Sequence, residues 1–371
     1  MPIKNHPVWL EKYNRWQVKE TINGERKTFT SSIPGPAGYR ECEAKANKWC
    51  DAGATKDAKL AVVWDLFVQH KEKTCGTEDA KDAEKIGRLY VKKVLSKRKL
   101  STLKPRDWQK VIDYMTTAKS GKSLSEKTMI NARGMMRTFV KWARKQEYMC
   151  GDVEVDIPRD APKKKKKRVA QPEDIKRVFA TDTVVKYRKP RPEWYVHAFR
   201  FIIVNGLRRG ECAGIREEDI SAGVLTIRRS INRLGEITDG KSENAQRRIG
   251  LSEISTQIIE QQKRMKRDAG LISPWLFCGP DGEELDTNTL YKEWHEHYAK
   301  QLGIPCSLHE LRHTFISAVK REMPLALLQS VVGHSEDTDT IGIYGHEYGD
   351  DLKRAAAIVD GVFSSMTQTA G

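Results

Sequence analysis

A short C-terminal stretch, residues 307–346, holds four polar side chains that could act together on one substrate. His309 and Arg312 fall in the first turns of a predicted helix, His334 follows the end of a second helix, and Tyr344 comes ten residues later. Two histidines and an arginine can surround an anion such as a phosphate, and a tyrosine beside that anion is a nucleophile. These residue types therefore indicate anion binding combined with nucleophilic attack.

The same stretch also contains an H-E-x-x-H pattern, from His309 to His313, which is typical of zinc proteases. Ser307 is a natural N-cap, so His309 is expected in the first turn of its helix rather than at its middle. No obvious third ligand follows, and the nearby His295 and His297 are two residues apart, a spacing that points their rings apart on a helix. A zinc site would also leave the tyrosine without a role. Anion binding is therefore the favoured interpretation, and no metal is expected.

Further cations with the same potential precede this stretch. Arg208 comes shortly after Gly206 at the end of an apolar helix, and Glu211 lies one turn on. A guanidinium held at a helix junction by a glutamate presents a planar fork that suits the free oxygens of a phosphodiester. Lys241 lies at the tip of a predicted hairpin, where a mobile loop could carry its ammonium to a leaving-group oxygen. Taken alone, the two patterns also fit a surface salt bridge and a solvated lysine.

The charge distribution indicates a polyanionic partner. The 371 residues carry a formal net charge of +16. Residues 57–168 hold 29 Lys and Arg against 15 Asp and Glu, whereas residues 1–56 sum to +4 and residues 169–371 sum to −2. A positive stripe confined to one segment is the footprint of a nucleic-acid-binding surface, although a basic surface can also serve solubility alone.

Cysteine usage and hydropathy indicate a soluble cytoplasmic protein. The seven cysteines are scattered and form no C-x-x-C pair, which favours reduced thiols over disulfides or a cysteine zinc site. The N-terminus carries charges where a secretory signal needs an apolar core. The sequence also lacks a run of about 18 apolar residues that could span a bilayer.

The periodicity predicts a mainly α-helical protein with small β parts, an α+β class. Alternation around Asn23-Gly24 predicts a three-stranded sheet, which one helix and then a linker at 51–54 follow. Four amphipathic helices come next, the last of them capped at Ser123, and form a bundle. A mixed helical unit with a small antiparallel sheet and a C-terminal helix completes the chain. The expected division is 1–56 for the sheet and helix, 57–158 for the bundle, 159–170 for a basic linker and 171–371 for the last unit.

Exposed cations of the bundle and the linker are the candidate contacts to nucleic acid. The linker contains six consecutive cations, which repel one another, so we expect a flexible segment that can lie along phosphates. The candidates are Lys92, Lys93, Arg133, Arg137, Lys141, Lys163, Lys164, Lys165, Lys166, Lys167 and Arg168.

In chain order, the arginine, lysine, histidine and tyrosine set resembles that of the tyrosine recombinase family. The segments that carry the resemblance are GLRRGE (206–211), the hairpin lysine before QRRIGL (246–251), HELRHTF (309–315), VVGH (331–334) and IYGH (343–346). One departure is the hairpin around the lysine, which is longer than the family leads us to expect. The bundle resembles the core-site-binding domain of the family, and the N-terminal ribbon resembles the arm-binding domain of phage and conjugative-transposon integrases.

The resemblance implies a reaction. Tyr344 would attack a DNA phosphodiester, form a 3′-phosphotyrosyl bond and release a 5′-hydroxyl. Arg208 and Arg312 would stabilise the charge of the transition state, and Lys241 would protonate the leaving oxygen. Because the covalent link conserves the bond energy, neither ATP, metal nor another cofactor is expected.

The remaining members of the set would act around these groups. His309 and His334 would donate hydrogen bonds to phosphate oxygens or position the tyrosine, and Glu211 would brace the first arginine. Tyr348, four residues after the expected nucleophile, is its nearest competitor for that role.

The family further implies the partners. We expect double-stranded DNA with core and arm-type sites, a homotetramer on that DNA, and an accessory DNA-bending protein or excisionase as a further candidate, all in a bacterial cytoplasm. The apolar face of the helix at 350–363 makes it a candidate for exchange between subunits. Two alternatives stay open: a type IB topoisomerase, which uses the same chemistry without site exchange, and a non-enzymatic DNA-binding regulator.

Overall fold

The computed structural model describes residues 5–22, 25–117, 121–148, 150–163, 167–238, 246–333 and 350–367, with the backbone alone at 22, 25 and 50–57. It divides into two compact units, Met1–Lys165 and Lys166–Gly371. Most of the described chain is helical, and its sheets are small and antiparallel. The α+β class predicted from the sequence is confirmed.

A three-stranded antiparallel sheet with one helix begins the first unit. Strands β1 (Val8–Leu10), β2 (Arg15–Ile22) and β3 (Glu25–Ser31) pair in chain order. Helix α1 (Gly35–Asp57) packs on this sheet, and the small core between them consists of Val18, Cys42 and Ala46. The predicted ribbon and helix are therefore present, and the turn at Asn23-Gly24 lies outside the described residues.

Helix α1 is longer than the sequence predicted. Its backbone continues through 51–54, where a linker was expected, so that prediction was wrong. The segment holds one glycine between alanines, and a single helical glycine costs only about 1 kcal/mol relative to alanine, too little to end a helix.

Short helices and an aromatic core form the rest of the first unit. The helices are α2 (Leu60–Cys75), α3 (Thr77–Ile86), α4 (Lys92–Leu95), α5 (Pro105–Thr117) and α6 (Glu126–Lys145). The rings of Trp64, Phe67, Trp108 and Phe139 are buried at the centre. Because these aromatic rings come from α2, α5 and α6, the core ties distant parts of the sequence into one bundle.

Two details of the bundle differ from the predicted pattern. The single helix expected over 78–96 is interrupted by a π-helical turn, Gly87–Val91. A Cβ at Gly87 would lie 2.2 Å from the indole nitrogen of Trp64, so the glycine gives that ring room to donate to the carbonyl of Ala83 at 3.1 Å. The N-cap of α6 is Ser125, whose hydroxyl accepts from the amide of Thr128, and not Ser123 as predicted.

The described ends of the predicted basic linker are anchored rather than free. Ala161 is buried in the core of the bundle. On the far side of residues 164–166, which lie outside the described residues, the amide of Arg168 donates to the carboxylate of Glu310 at 2.9 Å. The expectation of a flexible segment over the whole of 159–170 was therefore wrong for its described ends.

The second unit is mainly helical with short strands. Its helices are α7 (Pro172–Phe179), α8 (Val196–Asn205), α9 (Arg209–Ala213), α10 (Glu253–Asp268), α11 (Thr287–Glu293), α12 (Glu310–Val319), α13 (Leu325–Val332) and α14 (Asp351–Thr367). Its strands are β4 (Thr183–Lys186), β5 (Lys189–Pro192), β6 (Ile220–Ser221), β7 (Val224–Ile227), β8 (Ser230–Ile231), β9 (Ile237–Thr238) and β10 (Arg247–Gly250). A three-stranded sheet has the order β10-β7-β6, and two hairpins, β4-β5 and β8-β9, stand apart from it.

Helix α8 lies at the centre of this unit. All but one of its ten residues are buried, which explains its nearly continuous apolar sequence. It ends at Gly206, whose φ of +63° is the left-handed conformation that glycine adopts without strain. A Cβ there would lie 2.4 Å from the ring of Phe315, so this close approach also requires glycine.

The C-terminal helix α14 packs on its own unit. Ala355, Val359 and Phe363 are buried in the core that the second unit shares. The carboxylate of Asp360 accepts from the amides of Glu253 and Ile254, at 2.7 and 3.1 Å, and so caps the start of α10. The apolar face that made this helix a candidate for exchange between subunits is thus filled within the chain.

None of the helices in the described part of the chain combines the length and apolar composition that crossing a membrane requires.

Candidate phosphate-binding site

Arg208 and Glu211 are joined at the start of α9. Arg208 occupies the N-cap position, immediately after the turn that ends α8. The Glu211 carboxylate accepts the backbone amide of Arg208 at 2.9 Å and its guanidinium Nη1 at 2.7 Å. Two bonds from one carboxylate hold both the backbone and the side chain, so the direction of this guanidinium is set locally.

A second arginine, Arg247 on β10, binds the same carboxylate. Its Nη1 and Nη2 donate to the two oxygens of Glu211 at 3.0 and 2.9 Å, and both side chains are almost completely buried. Burial alone would raise the pKa of Glu211, but the bonds and charge of Arg247, followed by those of Arg208, lower it to about 2. The carboxylate is therefore ionised at neutral pH and links β10 to α9.

Arg312 completes the cluster from α12. Its Nη1 donates to the carbonyl of Gly206 at 2.9 Å, and it lies 4.0 Å from the Glu211 carboxylate. Only 3 % of its side chain is exposed. Burial, followed by the charge of Arg208, lowers the pKa of Arg312 to about 10, although Glu211 acts in the opposite direction. Arg312 nevertheless stays protonated at neutral pH.

The three arginines also bind the end of one helix. Arg247 Nε donates to the carbonyl of Val331 at 2.7 Å, Arg312 Nη2 donates to that of Val332, and Arg208 Nη2 lies 3.4 Å from that of Gly333. The last carbonyls of a helix lack intrahelical partners and carry the negative end of its dipole. Three cations therefore hold the C-terminal end of α13, directly before His334 in the sequence.

The arginine cluster, by which we mean Arg208, Arg247 and Arg312 around Glu211, is suited to an anion. Three guanidinium groups and one carboxylate leave a formal charge of +2 in a largely buried place, which favours a phosphate. Arg208 is the accessible member, because 43 % of its side chain is exposed. Arg312 lies beneath it with two of its nitrogens already bonded to carbonyls.

His309 lies at the start of α12, three residues before the buried arginine. It is exposed and occupies the N-cap position, with its ring 5.4 Å from that of His313 and nearly perpendicular to it. Ser307, which was expected to cap this helix, instead donates its hydroxyl and amide to the carboxylate of Glu310. His309 thus lies at the start of its helix rather than at its middle, as the sequence predicted. The prediction that Ser307 caps the helix was wrong.

Three members of the predicted set lie outside the described residues. These are Lys241, His334 and Tyr344, together with the competing Tyr348. Their flanking residues are described: β9 ends at Thr238, β10 begins at Arg247, α13 ends at Val332 and α14 begins at Asp351.

Sequence reasoning did not recognise Arg247. It lies in the QRRIGL segment, which was interpreted as a strand and as part of the family resemblance, with no role for its arginines. The usable signal was the strand pattern itself. A charged residue at an inward position of a short strand needs a buried partner, and the burial alternates along β10 with Arg247 on the inner side.

Part of the predicted DNA-contact set lines a groove on the bundle. The groove, of about 430 Å³, is lined by Arg137, Lys141, Arg144 and Lys145, with Asp152 and Glu154 at its edge. The last two of these cations were not among the sequence candidates. Arg144 is paired with Asp152 at 2.8 Å.

The other bundle and linker candidates are dispersed. Lys93 is exposed, whereas Lys92 is partly buried and paired with Asp65. Arg133 is partly buried. Of the linker cations, Lys163, Lys167 and Arg168 are exposed, and Lys164, Lys165 and Lys166 lie outside the described residues.

A separate group of possible metal ligands lies in the second unit. Glu193, Glu293 and His297 place their ligand atoms within 4.8 Å of one another. His297 Nδ1 lies 2.9 Å from both carboxylates, and the Lys186 ammonium lies 2.7 Å from Glu293. These contacts join Glu193, Glu293, His297 and Lys186 into one network of polar side chains. Within the described residues, no such group includes His309 and His313.

Comparison with known proteins places the chain. Residues 168–350 match the model of the phage integrase family. A putative integrase/recombinase of Sinorhizobium fredii is 24 % identical in an alignment 204 residues long, which covers 48 % of this chain and 61 % of the relative. The chain therefore spans about three fifths of the length of that relative.

Solved structures share the fold. The integrase of the Tn1549 transposon, in complex with transposon right end DNA, matches with a TM-score of 0.60 and 18 % identity over 80 % of this chain and 97 % of that chain. A lambda integrase tetramer bound to a Holliday junction matches with a TM-score of 0.57 and 13 % identity over 91 % and 98 %. The family match encloses the whole arginine cluster, and both neighbours are integrases. Residues 168–350 belong to the phage integrase family of tyrosine recombinases.

Proposed function

We propose that the chain is a site-specific DNA recombinase of the integrase type, which cleaves and rejoins DNA through a 3′-phosphotyrosyl intermediate. The observation that carries this proposal is the arginine cluster, which lies inside the residues that match the phage integrase family. A buried site with excess positive charge and one accessible guanidinium fits a phosphodiester better than a neutral substrate.

Three described residues bind the scissile phosphate or stabilise its charge in this reaction. Arg208 contacts a non-bridging oxygen of the scissile phosphate, because it is the accessible member of the cluster. Arg312 adds positive charge from beneath, where the low dielectric strengthens its effect on the developing charge. His309 is exposed at the start of the same helix and donates a hydrogen bond to a phosphate oxygen.

The chemical step itself depends on residues that the sequence identifies. Tyr344 loses its phenolic proton to solvent and attacks phosphorus, the phosphotyrosyl bond forms, and the bond to the 5′ oxygen breaks. Lys241 supplies the proton to that oxygen. His334 comes directly after the helix end that the three arginines hold, which supports its proposed role as a hydrogen-bond donor to the phosphate or a group that positions the tyrosine. A 5′-hydroxyl of a second strand reverses the step.

The first unit supplies recognition of the duplex in this proposal. Residues 57–158 bind the core site with a surface that includes the groove of Arg137 and Lys141, residues 159–170 follow the backbone, and residues 1–56 bind a second, arm-type site. Affinity from such contacts comes largely from released counterions and falls with salt. The lambda neighbour is a tetramer on a Holliday junction, and we propose the same assembly here, on DNA in a bacterial cytoplasm.

The experiment is to trap the covalent intermediate. Full-length protein is incubated with DNA of its bacterial host and run on a denaturing gel, beside the Tyr344→Phe variant and a Tyr348→Phe control. We expect a protein–DNA adduct for the wild type and the control. The Tyr344→Phe variant is expected to bind DNA with unchanged affinity and to form no adduct.

Sequencing of the trapped DNA separates the alternatives. A recurring sequence supports a site-specific recombinase. Adducts scattered without a common sequence would favour relaxation by a topoisomerase-like enzyme, and the absence of any adduct under conditions of tight binding would favour a DNA-binding regulator.

A further inference from the structure

The β4–β5 hairpin has a charge that its surroundings do not explain. Residues 183–192 carry four cations and no acid, although residues 169–371 together sum to −2. Lys186 is paired with Glu293. Arg188, Lys189 and Arg191 are exposed and have no ion pair or hydrogen bond from their side chains to any described residue. Three cations on ten residues are therefore available to a partner.

The base of the hairpin is held firmly. The buried Arg200 donates to the carbonyl of Phe179 at 2.7 Å and to the carboxylate of Asp182 at 2.6 Å, where the chain leaves α7. Gln301 brackets Val185, accepting from its amide at 3.2 Å and donating to its carbonyl at 3.0 Å. An exposed loop that served only as a connection would not need these contacts.

The tip of the hairpin is strained. Its two turn residues, Tyr187 and Arg188, have φ of +54° and +62°, the conformation of a type I′ turn. Glycine and asparagine adopt this conformation easily, whereas bulkier residues resist it. Tyr187 is also 90 % exposed, so no packing within the described chain compensates for the strain. Strain of this kind is kept where the side chains have a task.

One helix contacts both the hairpin and the start of α9, where Arg208 lies. This helix runs through α11 and a π-helical segment, Trp294–Gln301. Near its start, the ring of Tyr291 lies 5.8 Å from the guanidinium of Arg209, the neighbour of the accessible Arg208. Two residues later, on a different side of the helix, Glu293 binds Lys186 of the hairpin, whose strands extend about 13 Å at the usual rise per residue.

We propose that the β4–β5 hairpin binds the phosphate backbone of the duplex that the second unit cleaves, through Arg188, Lys189 and Arg191. This proposal rests on the proposed function, since it takes the arginine cluster as the place of the scissile phosphate. Antiparallel ribbons of two strands fit the grooves of DNA, and guanidinium groups bind phosphate oxygens in pairs.

The test compares two double variants that lose the same charge. Arg188→Gln/Arg191→Gln removes two cations of the hairpin, and Arg264→Gln/Arg267→Gln removes two exposed cations of α10. The affinity of each full-length protein for a long fluorescent duplex of random sequence is measured over a salt series. Each lost phosphate contact lowers the slope of log affinity against log salt by about 0.9. The hairpin variant should lose about 1 to 2 from the slope, and the control much less.

A single substitution should change stability and DNA affinity in opposite directions. Arg188→Gly relieves the left-handed turn, so we expect a higher Tm together with weaker DNA binding. Equal slopes for the hairpin and control variants would overturn the proposal, because they would show that the effect comes from overall charge and not from contacts of the hairpin. A Gly variant that binds DNA as tightly as the wild type would also overturn it.

The readouts separate this proposal from the proposed chemistry. A changed slope without any Tyr344-dependent adduct in the wild type would support the hairpin contact and contradict the recombinase. An adduct with unchanged slopes would do the reverse.

Discussion

Replacing Arg247 by methionine tests whether the buried carboxylate of the cluster depends on that arginine. The Arg247→Met variant keeps the length of the side chain and removes the charge. It deletes two bonds to Glu211, at 3.0 and 2.9 Å, and one to the carbonyl of Val331 at 2.7 Å. Arg208 remains bonded to the carboxylate and Arg312 remains 4.0 Å away.

The magnitude follows from the burial of the pair. Removing one partner of a buried ion pair costs about 3–5 kcal/mol of stability. We expect the lower value, about 3 kcal/mol, because Arg208 and Arg312 still neutralise the carboxylate. The pKa of Glu211 gives a similar figure. A pKa of about 2 in the folded state, against 4.5 for the free group, corresponds to about 3 kcal/mol of stabilisation.

The sign of the pH dependence is specific. Since the folded pKa of Glu211 is depressed, its stabilisation is complete above pH 4.5 and is lost as the pH falls toward 2. In Arg247→Met the pKa of Glu211 should rise, because burial still raises it while the bonds and charge of Arg247 no longer lower it. The carboxylate then takes up a proton at a higher pH than in the wild type. The difference in the free energy of unfolding between wild type and variant should therefore be largest at neutral pH and shrink on acidification.

The assay is urea unfolding of the full-length protein, in which the transition of the second unit should shift. Arg228→Met is the matched control: 60 % of its side chain is exposed, it lies 3.5 Å from Asp219, and that carboxylate keeps Arg229 at 2.6 Å. We expect less than about 1 kcal/mol for the control. A penalty for Arg247→Met that stays constant from neutral to acidic pH, or that persists in full in the Glu211→Gln background, would show that the stabilisation does not come from the Arg247–Glu211 ion pair.

Three further changes test other parts of the structure. Gly206→Ala should lower the stability by about 1–3 kcal/mol in thermal unfolding, since φ is +63° and the new Cβ would meet Phe315 at 2.4 Å; an unchanged Tm would contradict the left-handed turn. Asp360→Ala should cost about 1 kcal/mol in urea unfolding through the lost cap of α10, and no loss would mean that α14 does not dock there. Lys241→Ala should abolish cleavage of ordinary DNA and be rescued by a substrate whose leaving group is a 5′ thiol, because such a group needs no acid. The absence of rescue would assign the acid role to another residue.

The sequence was informative where the signal is local. Hydrophobic periodicity predicted the helices, and the predicted ribbon, bundle and mixed unit all have counterparts in the structure. The contact between Arg208 and Glu211 could be predicted from the sequence because the two residues are three apart at the start of a helix. The left-handed end of α8 was readable from Gly206 for the same reason.

Contacts between segments that are distant in the chain could not be predicted from the sequence. Arg247 reaches the site only because β10, α9 and the end of α13 converge, and 36 residues separate it from its carboxylate partner. The β4–β5 hairpin was missed because its turn lacks glycine and asparagine and its second strand contains two prolines, Pro190 and Pro192, which argue against a strand. The linker at 159–170, with its six consecutive cations, was predicted to be flexible. Its described ends instead contact α12 and the core of the bundle, which the local sequence does not show.

The proposed reaction depends most on the identity of the nucleophile and on the polarity of the covalent link. The direct measurement is mass spectrometry of the trapped adduct after digestion with nuclease and protease. We predict one modified peptide, with a nucleotide joined through its 3′ phosphate to the oxygen of Tyr344. A nucleotide on Tyr348 or on another residue, or a link through a 5′ phosphate, would contradict the proposed reaction.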